Sequence, residues 1–213
     1  MLQRDDLVFA QTLNALSKGM LSQSQMSLLR SRTVPSVESI PKGTIHLYRT
    51  NKDVNDRNDR IIALDPEKKI VFAADSLPEK IEASTRDYVF SEAKKAPLNK
   101  TRGLPYELKL SIGIKYMLTV NIDVEDGLVN GADGFLRDFN VDKDSSPTCL
   151  WIEFSDPAVG KKRQAASSCD KRKSWIKIER VKRGFRIIKR VEMVMRSQFP
   201  VVPAEALTIC KSQ

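Results

Sequence analysis

Three turn dipeptides fall within nine residues in the middle of this 213-residue chain. They are Asp126-Gly127, Asn130-Gly131 and Asp133-Gly134, and each tolerates the positive φ that tight hairpin turns require. The preceding stretch, Leu108 to Leu118, alternates apolar and other side chains, which predicts a strand with Gly113 at a bulge or bend. Such a density of tight corners beside strands favours a small β-barrel.

A strand followed at once by a helix is predicted upstream of these turns. Ile45 to Tyr48 is apolar enough to form a buried strand, and Asn51 or Asp53 can cap the helix that follows. Thr50 and Asn51 would then lie at a strand-to-helix junction. Ligands bind at such junctions in α/β folds.

The amino-terminal segment predicts two helices that serve as packing elements. Phe9, Leu13 and Leu16 form one apolar stripe on the first helix. Ser22 and Gln25 have the spacing of a capping box at the start of the second helix.

Charge is distributed unevenly along the chain. Residues 1–150 carry 21 basic and 21 acidic side chains, whereas residues 151–213 carry 15 basic and 6 acidic ones, so the net charge of +9 arises there. Ten of these basic residues fall between Lys171 and Arg190, interleaved with apolar ones. The pattern predicts strands that offer Lys and Arg to nucleic-acid phosphates on one face. A solvated structural sheet face has the same pattern, so charge alone favours neither function.

The two tryptophans and the single histidine are interpreted as structural. Trp151 and Trp175 fall in predicted strands beside Ile and Phe, where burial in the core is commoner than stacking on bases. His46 has no Cys or acidic partner near it in the sequence, which favours packing over catalysis.

The chain lacks the sequence motifs of a nucleotide-hydrolysing or metal centre. None of its nine glycines belongs to a G-x-x-x-x-G-K-[ST] loop, and Gly160-Lys161-Lys162 is the nearest approach. Cys149, Cys169 and Cys210 are widely spaced and odd in number, which supports neither a disulfide framework nor a zinc site. The apolar runs are far shorter than the roughly 18 residues of a membrane span, and the amino terminus lacks a signal-peptide pattern. A reducing intracellular compartment is therefore expected.

Four segments of the chain, taken in order, carry a resemblance to a known family. They are Met1 to Arg4 with Phe9-Ala10 and Leu13-Asn14; Leu47 to Val54 with Asn58; Leu104 to Gly134, which includes Gly127-Leu128-Val129-Asn130-Gly131; and Gln198 to Gln213. Together they span nearly the whole chain and resemble the Pif-type (petite integration frequency) DNA helicases of superfamily 1, group B. The second segment is similar to the family's motif IV, and the last is similar to its motif V.

Two departures from the family pattern point to a branch within it. The family usually has His at the position of Cys210, and often Ala-Trp-Ala where this chain has Ala204-Glu205-Ala206. The version in this chain looks more like the helicases carried by Helitron transposons.

The resemblance implies an α/β fold with two parts. Residues 1–104 and 196–213 would form the second RecA-like motor domain, incomplete and cut within motif V, and residues 105–195 would form an inserted SH3-like β-barrel. Motif V would hold the backbone of single-stranded DNA without reading its bases. The DNA-binding residues expected from the resemblance and from the basic segment are Thr50, Asn51, Lys171, Arg172, Lys173, Arg183, Thr208, Lys211, Ser212 and Gln213.

The resemblance also implies a complete enzyme that uses ATP and Mg²⁺ to translocate along single-stranded DNA in repair, recombination and telomere maintenance. The P-loop and the arginine motif would lie outside this chain, the P-loop on a missing first RecA-like domain of the same polypeptide. The chain alone is therefore expected to bind no ATP or Mg²⁺ and to hydrolyse no ATP. A nuclear or mitochondrial location and no membrane contact are expected.

Two other classes of function stay open at this point. One is a domesticated or decayed transposon-derived module that binds nucleic acid without motor activity. The other is a protein-interaction barrel whose basic surface is incidental.

Overall fold

The computed structural model describes residues 6–36, 40, 44–79, 81–165, 172, 174–187 and 193–209, which divide into two units, 1–44 and 45–213. The helices are α1 (Leu7–Ser17), α2 (Gln23–Ser31), α3 (Asn51–Ala63), α4 (Ala83–Lys95) and α5 (Lys161–Ala165). The strands are β1 (His46–Tyr48), β2 (Lys69–Phe72), β3 (Ala74–Ser76), β4 (Glu107–Leu110), β5 (Lys115–Leu118), β6 (Asp133–Val141), β7 (Pro147–Phe154), β8 (Ile176–Glu179), β9 (Val181–Phe185), β10 (Val194–Gln198), β11 (Val201–Pro203) and β12 (Ala206–Thr208). Within the described part of the chain, no helix combines the length and apolarity needed to cross a bilayer.

The unit of residues 1–44 consists of two capped helices. Asp6 caps α1 by accepting a hydrogen bond from the Phe9 backbone N–H at 2.9 Å. The predicted capping box of α2 is confirmed, because Ser22 Oγ accepts from the Gln25 N–H at 3.2 Å and Gln25 Oε1 accepts from the Ser22 N–H at 2.9 Å. Arg32 forms an ion pair with Asp6 at 3.8 Å and lies over the Phe9 ring, 5.6 Å from its centroid.

The largest sheet of the second unit has five antiparallel strands in the order β11-β5-β6-β7-β8. The side chains that enter the core from the outer part of this sheet are Leu150 and Ile152 of β7 and Ile176 and Ile178 of β8, which alternate along each strand. These side chains join one continuous hydrophobic core beneath the sheet. On the opposite face of β7 and β8, Lys177 and Glu179 are exposed and Trp151 is half-buried, whereas Cys149 is buried.

This sheet is open among the described residues. Its outer strands, β11 and β8, do not pair with each other, and β9 and β10 belong to a separate three-stranded sheet, in the order β3-β10-β9. The mixed α/β class is confirmed, whereas a closed SH3-like barrel within residues 105–195 is not. The proposed domain boundaries at residues 104–105 and 195–196 stay predictions.

The turn dipeptides have two different roles. Gly127 and Gly131 adopt positive φ values of 73° and 98°, which confirms the two predicted turns. The prediction of a turn at Asp133-Gly134 is wrong, because Gly134 lies inside β6. A side chain there would meet the neighbouring strand, since an ideal Cβ would lie 2.4 Å from the Glu153 carbonyl oxygen. Gly113, at φ 84°, separates β4 from β5 instead of kinking one strand.

A buried arginine joins the three-stranded sheet to α4. The Nε and Nη2 atoms of Arg196 each donate to Asp75 at 2.7 Å, which makes a bidentate ion pair between β10 and β3. Nη2 also donates to the Ala93 carbonyl of α4 at 2.8 Å, and Nη1 donates to the Leu104 carbonyl at 3.2 Å. Arg196 is fully buried, so these acceptors replace the water that its charge would otherwise need.

Candidate nucleic-acid interface

Two short parallel strands bring the motif IV and motif V segments to one edge. In the pairing of β1 with β12, His46 lies opposite Ala206, and Tyr48 lies opposite Thr208. Parallel strands end on the same side of a sheet, so Arg49, after Tyr48, and Ile209, after Thr208, leave from one edge. We call this the β1–β12 edge.

Thr50 and Asn51 form the α3 side of the β1–β12 edge. Thr50 is the N-cap of α3, and its hydroxyl accepts from the Asp53 N–H at 3.2 Å and donates to Asp53 Oδ2 at 2.6 Å. Asn51 is the first helical residue, and both Thr50 and Asn51 are exposed. The start of α3 adds the partial positive charge of a helix amino terminus, although Asp53 offsets part of it.

The segment that joins β11 to β12 is held by several backbone contacts. The Glu205 carbonyl accepts from the His46 N–H at 3.0 Å, and Glu205 Oε1 accepts from the Lys115 N–H at 2.9 Å. The Ala204 N–H donates to the Lys115 carbonyl at 2.8 Å. On the α3 side of β1, His46 Nε2 lies 3.4 Å from Arg57 Nη2. β12 is thus anchored to β1 and to β5 of the main sheet.

Thr208 is half-buried at the end of β12, at the β1–β12 edge. Five other predicted DNA-binding residues lie outside the described residues, so their roles stay predictions. They are Lys171, Lys173, Lys211, Ser212 and Gln213.

Arg172, in contrast, is already engaged with the protein. Its guanidinium forms an ion pair with Asp138 and donates to Asn140 Oδ1 at 3.0 Å. It also lies over the Trp151 ring, 4.6 Å from the centroid. A phosphate contact by Arg172 would have to compete with these interactions.

Trp151 lies on the solvent-facing side of the main sheet. It is opposite Lys177 in the register of β7 with β8, and it is half-buried, whereas its neighbours Leu150 and Ile152 are buried. Its Nε1 donates to Asn140 Oδ1 at 3.1 Å. The prediction that Trp151 belongs to the core is therefore wrong. The Arg172 guanidinium and the Asn140 amide shield a ring that strand alternation turns outward.

Strand alternation also separates the two basic residues at the start of β9. Arg183 lies opposite the buried Arg196, so both side chains are on the inner face of the three-stranded sheet, and Arg183 is half-buried. Lys182 lies on the outer face and is exposed. Of these two residues Lys182 has the freer access to a phosphate, and sequence reasoning missed it because a run of basic residues does not show which face each one occupies.

Two further basic residues of the segment have partners of their own. A hydrogen bond to Glu179 at 2.5 Å raises the pKa of Lys177 and lowers the pKa of Glu179. Burial lowers the pKa of Arg180, which donates to the Phe72 carbonyl at 3.2 Å and lies 5.0 Å from the centroid of the Phe199 ring. Because Lys177 is paired with Glu179 and Arg180 contacts Phe72 and Phe199, fewer cationic side chains are free to bind a ligand than the number of basic residues suggests.

Comparison with solved structures places this arrangement among known folds. The chain is similar along its whole length to Pif1 helicase from Candida albicans, with a TM-score of 0.66 and 23% sequence identity. The chain shares the fold of the Pif1 helicases. Pif1 from Bacteroides in complex with ADP-AlF3 and single-stranded DNA matches 98% of the chain, with a TM-score of 0.61 and 20% identity.

The chain spans less than half of these structures, 46% of the Candida protein and 41% of the Bacteroides protein. A further Bacteroides structure, Pif1 in complex with ADP-AlF4, matches with a TM-score of 0.56 and 20% identity over 96% of this chain and 40% of that one. Searches against protein-family profiles and against curated proteins gave no match.

Proposed function

We propose that this chain forms part of the second RecA-like domain of a Pif-type DNA helicase, with an SH3-like β-barrel inserted at about residues 105–195. Its task is to bind the backbone of single-stranded DNA during translocation. The observation that carries the proposal is the parallel pairing of β1 with β12, which places the motif IV and motif V segments on one edge of a fold shared with Pif1. The single-stranded DNA in the Bacteroides complex agrees with this partner.

The chemistry of the β1–β12 edge suits phosphate and sugar contacts. Asn51 and Thr208 supply amide and hydroxyl groups, and Lys211, Ser212 and Gln213 follow directly in the chain. These groups hold a phosphodiester backbone without distinguishing its bases. We assign the Thr50 hydroxyl mainly to capping α3, because both of its hydrogen bonds are to Asp53.

The basic segment provides a second set of contacts in this proposal. Lys171 and Lys173 are retained from the sequence prediction, and exposed Lys182 is added. Arg172 and Arg183 contribute only if they leave their positions in the fold. Because each phosphate contact releases a counterion, these contacts should make binding strongly dependent on salt.

In this proposal, ATP and Mg²⁺ bind to a part of the enzyme outside this chain. The sequence has no P-loop, and the described residues contain no group of three or more His, Cys, Asp or Glu side chains that could hold a metal ion. The described residues therefore offer no site for ATP and its metal ion, and no step of hydrolysis is assigned to them. The first RecA-like domain of the same polypeptide would supply that site. The complete enzyme would act in the nucleus or in mitochondria.

An apolar groove beside β1 supports packing against further polypeptide. Leu47 lies opposite Leu207 in the pairing of β1 with β12, but Leu207 is buried against Met117 and Ala204, whereas Leu47 is 52% exposed and Ile45 is 37% exposed. Ile45 and Leu47 line a groove of about 610 Å³. Parallel strands are normally covered on both faces, so further segments of a complete motor would fill this groove.

A salt titration of single-stranded DNA binding tests the proposal. We expect the chain to bind oligothymidylate with an affinity that falls steeply with salt. Neutralising Lys171, Arg172, Lys173 and Arg183 together should flatten the slope by about 0.7 for each lost phosphate contact. Lys177→Gln is the control, because Lys177 is paired with Glu179. A slope that is unchanged in the fourfold variant would assign those charges to structure and favour the protein-interaction alternative.

The motif V assignment has its own test. In a chain extended past residue 213, Lys211→Ala should weaken binding by about 1–2 kcal/mol, because a charge-assisted contact to phosphate is lost. Lys18→Ala, in the first unit, is the matched control. Equal affinities for the two variants would remove Lys211 from the interface.

A further inference from the structure

We infer that Asn58 is a positioning residue for single-stranded DNA binding, because its carboxamide fixes the segment that carries Thr208 relative to the start of α3. The inference rests on the proposed function and adds a residue that does not itself touch DNA. Asn58 is only 5% exposed, so it can act on a ligand only through its neighbours.

The carboxamide of Asn58 makes all three of its hydrogen bonds to backbone groups of one short segment. Its Oδ1 accepts from the Ala206 N–H at 2.8 Å. Its Nδ2 donates to the Ala206 carbonyl at 3.2 Å and to the Pro203 carbonyl at 3.1 Å. One side chain thus satisfies three backbone groups of the segment that joins β11 to β12.

Two of these groups, the N–H and carbonyl of Ala206, are ones that β1 leaves unpaired. In a parallel ladder, successive residues direct their backbone groups to opposite sides of the strand. The Glu205 carbonyl faces β1, where it accepts from the His46 N–H, so the N–H and carbonyl of Ala206 face away from β1. Asn58 takes the place of a third strand at this position.

The position of Asn58 links both sides of the β1–β12 edge to the main sheet. Asn58 lies on α3, whose first turn presents Thr50 and Asn51. Pro203 ends β11 of the five-stranded sheet, and β12 runs from Ala206 to Thr208. If the carboxamide is lost, the Ala206 backbone groups lose their partners, and β12 is held by its three-residue pairing with β1 and by the contacts of Ala204 and Glu205 with Lys115. The end at Thr208 would then shift relative to Asn51.

The substitution Asn58→Asp tests this role because it changes hydrogen-bond donors with little change of shape. An ionised carboxylate can accept from the Ala206 N–H but cannot donate to the two carbonyl oxygens that face it. When protonated it can donate to one of them. The defect should therefore be large at high pH and should diminish as the pH falls through the pKa of the introduced carboxyl, which the facing carbonyls raise.

Asp59→Asn is the matched control. Asp59 is the next residue of α3, its side chain is 52% exposed, and it makes one ion pair, with Lys109 at 2.9 Å. This substitution leaves the β11–β12 segment untouched. Asn58→Ala is the second test variant, because it removes the three hydrogen bonds without introducing a buried charge.

Hydrogen exchange measured by mass spectrometry is the first readout. At about pH 8, Asn58→Asp should lose amide protection in residues 203–209 while residues 147–154 of β7 stay protected, and protection should return toward about pH 5 when intrinsic exchange rates are allowed for. Asn58→Ala should lose protection in the same residues at both pH values. Full protection of 203–209 in both variants would overturn the inference.

Affinity for an oligothymidylate of about 20 nucleotides is the second readout. Relative to Asp59→Asn at the same pH, Asn58→Asp should bind about tenfold more weakly at high pH and should recover most of the difference at low pH. Loss of affinity without recovery, or recovery that also occurs in Asn58→Ala, would assign Asn58 a merely structural role. If the unsubstituted chain binds no oligothymidylate, the proposed function fails, whereas hydrogen exchange still decides whether Asn58 fixes this segment.

Discussion

The arginine side chains of this protein have different structural roles. Arg196 is fully buried, and besides its pair with Asp75 it lies 5.0 Å from the centroid of the Phe185 ring and 5.4 Å from that of Tyr106. Arg172 covers a surface tryptophan, and Arg183 is half-buried on the same sheet face as Arg196. The role of each guanidinium is set by which acceptors surround it. Those of Arg196 and Arg172 come from distant parts of the chain, whereas Arg183 donates to the carbonyl of its neighbour Lys182.

Arg196→Met should destabilise the protein strongly. The substitution would leave the Asp75 carboxylate, 7% exposed, without its partner, and an uncompensated buried charge costs about 3–5 kcal/mol. Urea unfolding followed by circular dichroism measures the loss. The double variant Asp75→Asn with Arg196→Met should regain part of the lost stability because the stranded charge is gone. A double variant as unstable as Arg196→Met would show that the carboxylate is not the cause.

Ser111→Ala should raise the pKa of Asp65. Ser111 Oγ donates to Asp65 Oδ2 at 2.5 Å, and this bond, followed by the Glu67 N–H, lowers the pKa of the carboxyl. The pKa of Asp65 is lower in the folded state than in the unfolded state. The hydrogen bond therefore stabilises the folded protein fully at pH values above the unfolded-state pKa, and this stabilisation is lost as the pH falls through the folded-state pKa. Titration of Asp65 by NMR measures the change. A pKa equal to that of the unsubstituted protein would exclude Ser111 as its cause.

At the scale of elements, close approach of strands decides where glycine is needed. β6 and β7 form the centre of the main sheet, and their register shifts between Leu136 and Asp138. Gly134 lies just before this irregularity, opposite Phe154. At Gly134, β7 approaches β6 so closely that no volume remains for a side chain. The need for glycine is therefore steric, because the backbone of Gly134 does not have positive φ.

Gly134→Ala should destabilise the main sheet by about 1–3 kcal/mol, because β7 must move to make room for the methyl group. The added Cβ would lie 2.4 Å from the Glu153 carbonyl oxygen and 2.6 Å from Phe154 Cα. Gly131→Ala is the matched control, since no atom lies within 4 Å of its Cβ and only its φ of 98° is strained. Thermal unfolding should show the larger loss for Gly134→Ala, and the reverse order would show that this contact relaxes freely.

At the scale of the whole molecule, charge and fold are separate features. The net charge of +9 arises from residues 151–213, yet several of its cations are used within the fold. The shared fold covers less than half of the Pif1 structures, and the motif for binding ATP phosphates is absent from this sequence. In the proposed enzyme, DNA contact and nucleotide hydrolysis are therefore carried by different parts of the polypeptide.

The purified chain should show no ATPase activity above background, with or without single-stranded DNA. Phosphoryl transfer needs a positioned P-loop lysine, Mg²⁺ and arginine together, and the chain has no P-loop. Phosphate release by a purified preparation measures the rate. The control is a mock purification from cells without the protein, and DNA-stimulated release above that control would contradict the assignment of hydrolysis to another domain.

The sequence by itself determined the features that depend on neighbouring residues. The Ser22–Gln25 capping box, the turns at Gly127 and Gly131 and the junction at Thr50 are local, because the groups that define them lie within a few residues of one another. The four segments that resemble the Pif-type family also predicted the fold, because they occur in order along nearly the whole chain. The solved Pif1 structures have that fold.

Only the tertiary structure decided which distant groups meet. The pairing of β1 with β12, the outward face of Trp151 and the buried site of Arg196 depend on strand order and register, and a shift of one residue would reverse every face. Asn58 belonged to a recognised segment, yet its contacts with Pro203 and Ala206 could not be read from that segment. A carboxamide satisfies whichever backbone groups the fold leaves unpaired nearby, and long-range packing determines which groups those are.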